Sequence, residues 1–173
     1  MAKTLYLLRH AKSSWDDLSL PDHERPLARR GRRACELIAF HLDREHIGPQ
    51  LVLCSSATRA RETLELVGLG SHAGAEVLIE DGVYEATAAD LLARLRLVDD
   101  EVASVLLVGH HPAIQDLAVC LASSGERRSD LARKFPTAAL ATLTWNGGWT
   151  ALDPAAAELV AFVTPKELAG RRR

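Results

Sequence analysis

Short apolar runs alternate with longer amphipathic stretches along this chain. Leu5-Tyr6-Leu7-Leu8 reads as a buried strand, and Leu27, Ala34, Leu37, Ile38 and Leu42 then recur at helical spacing. That spacing predicts a helix over about residues 27–46, stopped by Gly48-Pro49. Leu51-Val52-Leu53-Cys54 reads as a second strand, and the hydroxyls of Ser55-Ser56-Ala57-Thr58 offer N-caps for a helix to about Val67. A short strand near Val77-Leu78-Ile79, a helix over about 88–97 and a buried strand over 102–108 follow. Pro112 sits at the opening turn of a helix over 113–121. Residues 139–145 and 149–152 flank Asn146-Gly147-Gly148 as the arms of a hairpin, with a further strand over 159–163. Arg171-Arg172-Arg173 reads as a frayed tail. The β-α-β-α order predicts one α/β domain over residues 1–173, a mostly parallel central sheet with helices on both faces.

Composition narrows the class without naming the chemistry. A chain of 173 residues, 47% hydrophobic and 25% charged, is ordinary for a folded domain. At this length roughly 70% of the unfolded surface is buried, so no metal or disulfide is needed for stability. With 21 Lys and Arg against 23 Asp and Glu, the chain lacks the positive excess of a general nucleic-acid surface. Cys35, Cys54 and Cys120 form no CxxC pair, which argues against a disulfide framework or a cysteine zinc site. No secretory h-region follows Met1-Ala2-Lys3, and the longest apolar runs are far too short to cross a membrane. A cytoplasmic setting is the expectation.

The candidate chemistry lies where the predicted strands end, which is where open α/β sheets bind ligands. The first strand runs into Arg9-His10-Ala11-Lys12-Ser13, the second into Ser55-Ser56-Ala57-Thr58-Arg59-Ala60-Arg61, and the strand ending at Val108 delivers Gly109-His110-His111-Pro112. In one sheet these would gather histidines and arginines along a single edge. Arginine forks match phosphoryl oxygens, and the helix opening after Ser56 would add free backbone N–H groups. Like-charge repulsion from the arginines would favour neutral His10, the nucleophilic form, while His110 donates to equatorial oxygens. Adjacent histidines point apart on a strand, so His110 and His111 do not form a metal pair, and His111 is the structural member. Arg59 and Arg61, two apart, do not share a helical face, which leaves one of them for the pocket. Gly68-Leu69-Gly70-Ser71-His72-Ala73 matches a dinucleotide pattern but follows a helix, and therefore reads as a helix end and loop. No phosphate loop, HExxH or GxSxG motif is present, leaving a metal-free and cofactor-free histidine site.

These residues resemble the histidine phosphatase superfamily, with its phosphoglycerate mutase-like three-layer fold, and within it the small SixA-type phosphohistidine phosphatase branch. The resemblance rests on Leu7-Leu8-Arg9-His10-Ala11-Lys12-Ser13-Ser14-Trp15, on Asp22 with Arg25-Pro26-Leu27, and on Arg30-Gly31. It continues through Ser55-Ser56-Ala57 with Arg59-Ala60 and Thr63, then Tyr84-Glu85-Ala86, Val108-Gly109-His110-His111-Pro112 and Thr164-Pro165-Lys166-Glu167-Leu168. It implies His10 as a nucleophile forming a phosphohistidine intermediate, with Arg9, Arg59 and His110 on the phosphoryl oxygens. Ser13 is a further pocket candidate, and Arg25 is open between the pocket and a structural role. Ala11 stands where the wider superfamily commonly has glycine. Glu85 is the best match for a general acid, with Asp16 and Asp17 behind it. Larger members insert a cap between the second arginine motif and the second histidine. Its absence here implies an open pocket suited to phosphohistidine on a partner protein, or alternatively to a small phosphomonoester such as a sugar phosphate or nucleotide. A non-catalytic phosphate-binding module is the third reading, against which His10 speaks. Neither nucleic acid nor membrane is an expected partner.

Overall fold

A computed structural model describes residues 1–70 and 74–171 of the chain. Side-chain alternation along its central strand decides the layering. In β1 (Ala2–Arg9), Leu5 and Leu7 join one buried apolar cluster while Leu8 joins another on the opposite face. The same division holds for β2 (Leu51–Ser55), with Leu53 on the first side and Val52 and Cys54 on the second, and for β4 (Ser104–Gly109). Strands buried on both faces need helices on both faces. The α1 helix (Arg29–Arg44) turns Cys35, Ile38 and Leu42 inward at helical spacing, and α2 (Thr58–Leu66) covers the same side with Ala60 and Leu64. On the other side α4 (Ala88–Leu95), opened by a Thr87–Asp90 capping box, buries Leu91, Leu92 and Leu95 beside Ile114, Leu117 and Leu121 of α5 (Ala113–Leu121).

With β3 (Glu76–Glu80), β5 (Ala122–Ser124), β6 (Leu140–Asn146) and β7 (Ala157–Val163), the strands form one seven-stranded sheet in the order β3-β2-β4-β1-β6-β7-β5. β1 to β4 are mutually parallel, and β6 pairs antiparallel with both β1 and β7. The fold is the mostly parallel, helix-covered α/β sheet that the sequence predicts. Three short helices escape the periodicity reading because each spans two turns or fewer: α3 (Asp81–Tyr84), α6 (Arg128–Arg133) and α7 (Pro165–Arg171). Arg171 belongs to α7 rather than to a tail, and residues 172 and 173 lie outside the described residues. Gly68, at φ +82°, follows the end of α2 as expected for a helix terminus. Residues 71–73 of the dinucleotide-like segment lie outside the described residues.

The hairpin expectation needs correction. β6 turns at Asn146-Gly147-Gly148, but its partner is β7, and Trp149–Ala151 forms a 3-10 turn instead of a strand. Trp149 is fully buried, its indole N–H donates to the Val102 carbonyl at 2.7 Å, and its backbone N–H donates to Asp100 Oδ1 at 2.7 Å. Those anchors carry the chain off the sheet. They also occupy the Val102 carbonyl, to which Lys3 Nζ donates as well at 3.1 Å, and β4 begins at Ser104 rather than Val102.

Candidate active site

Sheet register assembles the site. Arg9 pairs with Gly109 at the last rung between β1 and β4, and Cys54 of β2 pairs with Val108. His10, His110 and Ser55 therefore emerge side by side beyond the carboxyl ends of three adjacent strands. The His10 N–H donates to the Gly109 carbonyl at 3.0 Å, and the rings of His10 and His110 lie 4.9 Å apart between centroids.

Hydrogen bonding defines the state of His10. Its Nδ1 lies 2.7 Å from the Ala11 carbonyl, and a carbonyl can only accept, so the ring proton is on Nδ1. The lone pair is then on Nε2, toward which Arg59 Nε–H is directed at 3.4 Å. Burial pushes the His10 pKa down to about 3; the Ala11 bond opposes this, and repulsion from His110, Arg59 and Arg9 reinforces it. Burial, rather than the like-charge repulsion expected from the arginines, is the larger cause. His110 is pushed down to about 4, again first by burial and then by the Arg59 charge. Ser55 Oγ accepts from the Ala57 N–H at 3.2 Å and lies 2.7 Å from His110 Nε2, so its own hydrogen is free for that nitrogen. We assign the His110 proton to Nδ1 on this pattern; that atom is buried without a partner.

The arginines divide by role. Arg59 is 7% exposed, while Arg61 is exposed and lines a separate hollow with Leu64 and Ile79. Arg59 donates to the Asp22 carbonyl at 2.7 Å and to its carboxylate at 2.9 Å, and the Tyr84 hydroxyl donates to the same carboxylate at 2.6 Å. The Tyr84 bond, with Arg59 and Arg25 behind it, holds Asp22 down at about 2 against a weaker burial effect. Arg9 donates to the Phe135 carbonyl at 2.8 Å, and its Nε is a second buried donor without a partner. Arg25 is buried and fully engaged by Asp22, Ser13 Oγ and the Ser14 carbonyl, with its guanidinium 3.2 Å from the Trp15 ring centroid. Its place is beneath the loop, holding Ser13. Thr63, fully buried, accepts from the Ala11 N–H at 3.0 Å and donates to the Arg59 carbonyl at 2.6 Å, tying the His10 loop to α2.

Other expectations fall out differently. The N-cap of α2 is Ala57, without a side-chain cap, because the Ser55 hydroxyl is committed to His110 and that of Ser56 lies 2.8 Å from His23 Nε2. Glu85 is exposed at the end of α3, and its carboxylate takes part in no hydrogen bond or ion pair among the described residues. Its neighbour Tyr84 faces the site, 5.4 Å from the His110 ring and 4.7 Å from that of His23. Asp16 and Asp17 are exposed, and the Asp17 carboxylate accepts from Ser19. His111 is exposed, away from the cluster. His23 is the contributor the sequence reading did not single out, although it adjoins Asp22 in the motif.

Residues 5–94 match the model of the histidine phosphatase superfamily, branch 1. The chain belongs to the histidine phosphatase superfamily. Among its relatives in this superfamily is an uncharacterized protein of Mycobacterium tuberculosis, 37% identical over 163 residues, covering 92% of this chain and 100% of the relative. Phosphohistidine phosphatase SixA of Escherichia coli is 32% identical over 145 residues, covering 81% of this chain and 84% of its own. A structure from Nakamurella multipartitia, provisionally named a phosphohistidine phosphatase SixA, superposes with a TM-score of 0.84 at 31% identity, covering 95% of this chain and 97% of its own. No helix among the described residues is long and apolar enough to cross a membrane.

Proposed function

We propose that this histidine phosphatase hydrolyses phosphohistidine on a partner protein through a phosphorylated His10. One observation carries the reading: the Ala11 carbonyl holds the ring proton on Nδ1 and leaves the Nε2 lone pair toward Arg59. In the first step His10 Nε2 attacks phosphorus and the bond to the leaving atom breaks, its electron pair going to that atom. Arg59, Arg9 Nε and His110 Nδ1–H supply donors for the oxygens whose charge is redistributed in the transition state. The incoming phosphoryl group displaces the Asp22 carboxylate from Arg59. In the second step water attacks phosphorus, the P–N bond to His10 breaks, and inorganic phosphate leaves.

The leaving group favours phosphohistidine over an alkyl phosphate. Asp22, the carboxylate that reaches Arg59, is held ionised near a pKa of 2 and has no proton to give. An imidazole already protonated at its second nitrogen leaves neutral and needs none, whereas an alkoxide does. Glu85, exposed and unpaired, takes the proton of the attacking water in this scheme and is the acid for any ester substrate. The phosphohistidine phosphatase names carried by relatives 31–32% identical support the same substrate.

The test is rapid quenching with a phosphohistidine peptide. Wild-type protein should carry acid-labile phosphate on His10 during turnover, and His10→Gln should carry none and turn over nothing. Turnover without label on His10 overturns the mechanism. A strong preference for one sugar phosphate or nucleotide, with a strict need for Glu85, overturns the substrate assignment and favours a small phosphomonoester.

A further inference from the structure

Beside the histidines, on the β6–β7 side of the same sheet edge, lies a second feature that the phosphoryl chemistry does not use. A cavity of about 760 Å³ is lined by Lys12, Arg30, Lys134 and Lys166, together with Arg127 and Arg133. Two carboxylates, Asp130 and Glu167, line it as well, and both are spoken for: Arg127 pairs with Asp130 at 3.1 Å and with Glu167 at 2.7 Å, and Arg133 with Asp130 at 3.4 Å. Lys12, Arg30, Lys134 and Lys166 make no ion pair or hydrogen bond through their side chains among the described residues. A chain of net charge −2 thus gathers four uncompensated cations in one concavity. Low-dielectric walls around charges of one sign focus the field and raise the local concentration of anions.

The cavity is continuous with the catalytic loop. Lys12 is two residues beyond His10, so their backbones are at most about 7 Å apart. The opposite wall includes Pro136 and Thr137, in the segment whose Phe135 carbonyl accepts from Arg9 and whose Ala138 N–H donates to the Arg9 carbonyl at 3.0 Å. The cavity therefore borders the segment that carries His10. The volume far exceeds one further phosphate and suits several residues of peptide.

We infer that this cavity docks an acidic segment of the phosphorylated partner protein, with Asp or Glu side chains flanking the phosphohistidine set against Lys12, Arg30, Lys134 and Lys166. The inference deepens the phosphohistidine reading and rests on it for the identity of the substrate. It does not rest on it for the binding itself.

The test uses the double charge reversal Lys134→Glu/Lys166→Glu, two exposed side chains away from the reacting atoms. Fluorescence anisotropy follows a labelled peptide with a histidine between runs of glutamate, unphosphorylated so that binding is read apart from turnover. Wild type should bind it in a salt-sensitive way, and the variant about tenfold or more weaker. Turnover of a phosphohistidine peptide with the same acidic flanks should fall by a similar factor in kcat/KM, through KM. Turnover of phosphoramidate, which has no flanks, should stay within twofold. Equal binding by wild type and variant, or no binding at low salt, overturns the docking site. So does equal or tighter binding of a single-stranded oligonucleotide, or selective loss of a small bisphosphate as substrate. Charge-dependent peptide binding with no phosphorylation of His10 would leave the docking site standing and sink the phosphatase reading instead.

Discussion

Replacing His10 by glutamine removes one titrating ring from the folded protein, and the structure says what that does to acid stability. An unfolded histidine takes up its proton near pH 6.5, whereas folded His10 is pushed down to about 3. Between those values the unfolded chain binds more protons at this position, so acid favours unfolding. The stabilisation is fully present above pH 6.5, declines as pH falls through this window, and is lost below about 3. One such proton changes stability by about 1.4 kcal/mol per pH unit, so lowering the pH from about 6 to 4.5 costs about 2 kcal/mol through His10. His110 and His41, also shifted down, contribute to wild type and variant alike and cancel in the difference. Asp22 titrates near 2 folded and 3.8 unfolded, below this interval. With a urea m-value of about 2 kcal/mol/M, the wild-type midpoint should fall about 1 M further than that of His10→Gln across the interval. Tryptophan fluorescence reports the transition, since Trp149 is fully buried. Parallel declines would mean that His10 protonates in the folded state without penalty, and the neutral, buried nucleophile would be refuted.

Three further outcomes follow from the same geometry. Arg59→Ala should lower kcat/KM by about 10²–10³, the scale for losing one transition-state donor, while Arg61→Ala, exposed on the neighbouring turn, should stay within twofold in the same steady-state assay. Thr63→Val leaves the buried Ala11 N–H without its acceptor, and should cost about 2 kcal/mol in urea unfolding with a fall in kcat larger than any rise in KM. Gly31→Ala places a Cβ 2.3 Å from the Lys12 carbonyl oxygen, a backbone atom that cannot swing away, so it should destabilise by about 1–3 kcal/mol, read as a lowered Tm.

The legible parts of this molecule are those with strong local periodicity. The runs in β1, β2 and β4 are apolar at every core position, and their polar ends converge as expected once the register aligns Arg9 with Gly109. Helical spacing leaves room in the pocket for only one of Arg59 and Arg61, and the structure turns the first inward. The 149–152 segment was not legible, because a tryptophan beside Gly-Gly looks like a strand until its indole finds the Val102 carbonyl 47 residues away. The Asp22–Arg59–Tyr84 linkage was hidden for the same reason: its partners come from three separate segments, 37 and 62 residues apart, and no local pattern encodes it. Glu85 matched a motif, whereas no local pattern marks the adjacent Tyr84 as the residue whose hydroxyl reaches Asp22 and whose ring lies against His110.

The spacing of the two imidazoles is inherited from main-chain pairing at the middle of the sheet, where β1 lies directly against β4. Every loop that could touch the rest of a substrate attaches after that rung. Insertions or rewritten charges in residues 12–28 or 125–138 can therefore change what is recognised without retuning the distance between attacking ring and assisting ring. The gap between the imidazoles can hold still while the surface around it drifts.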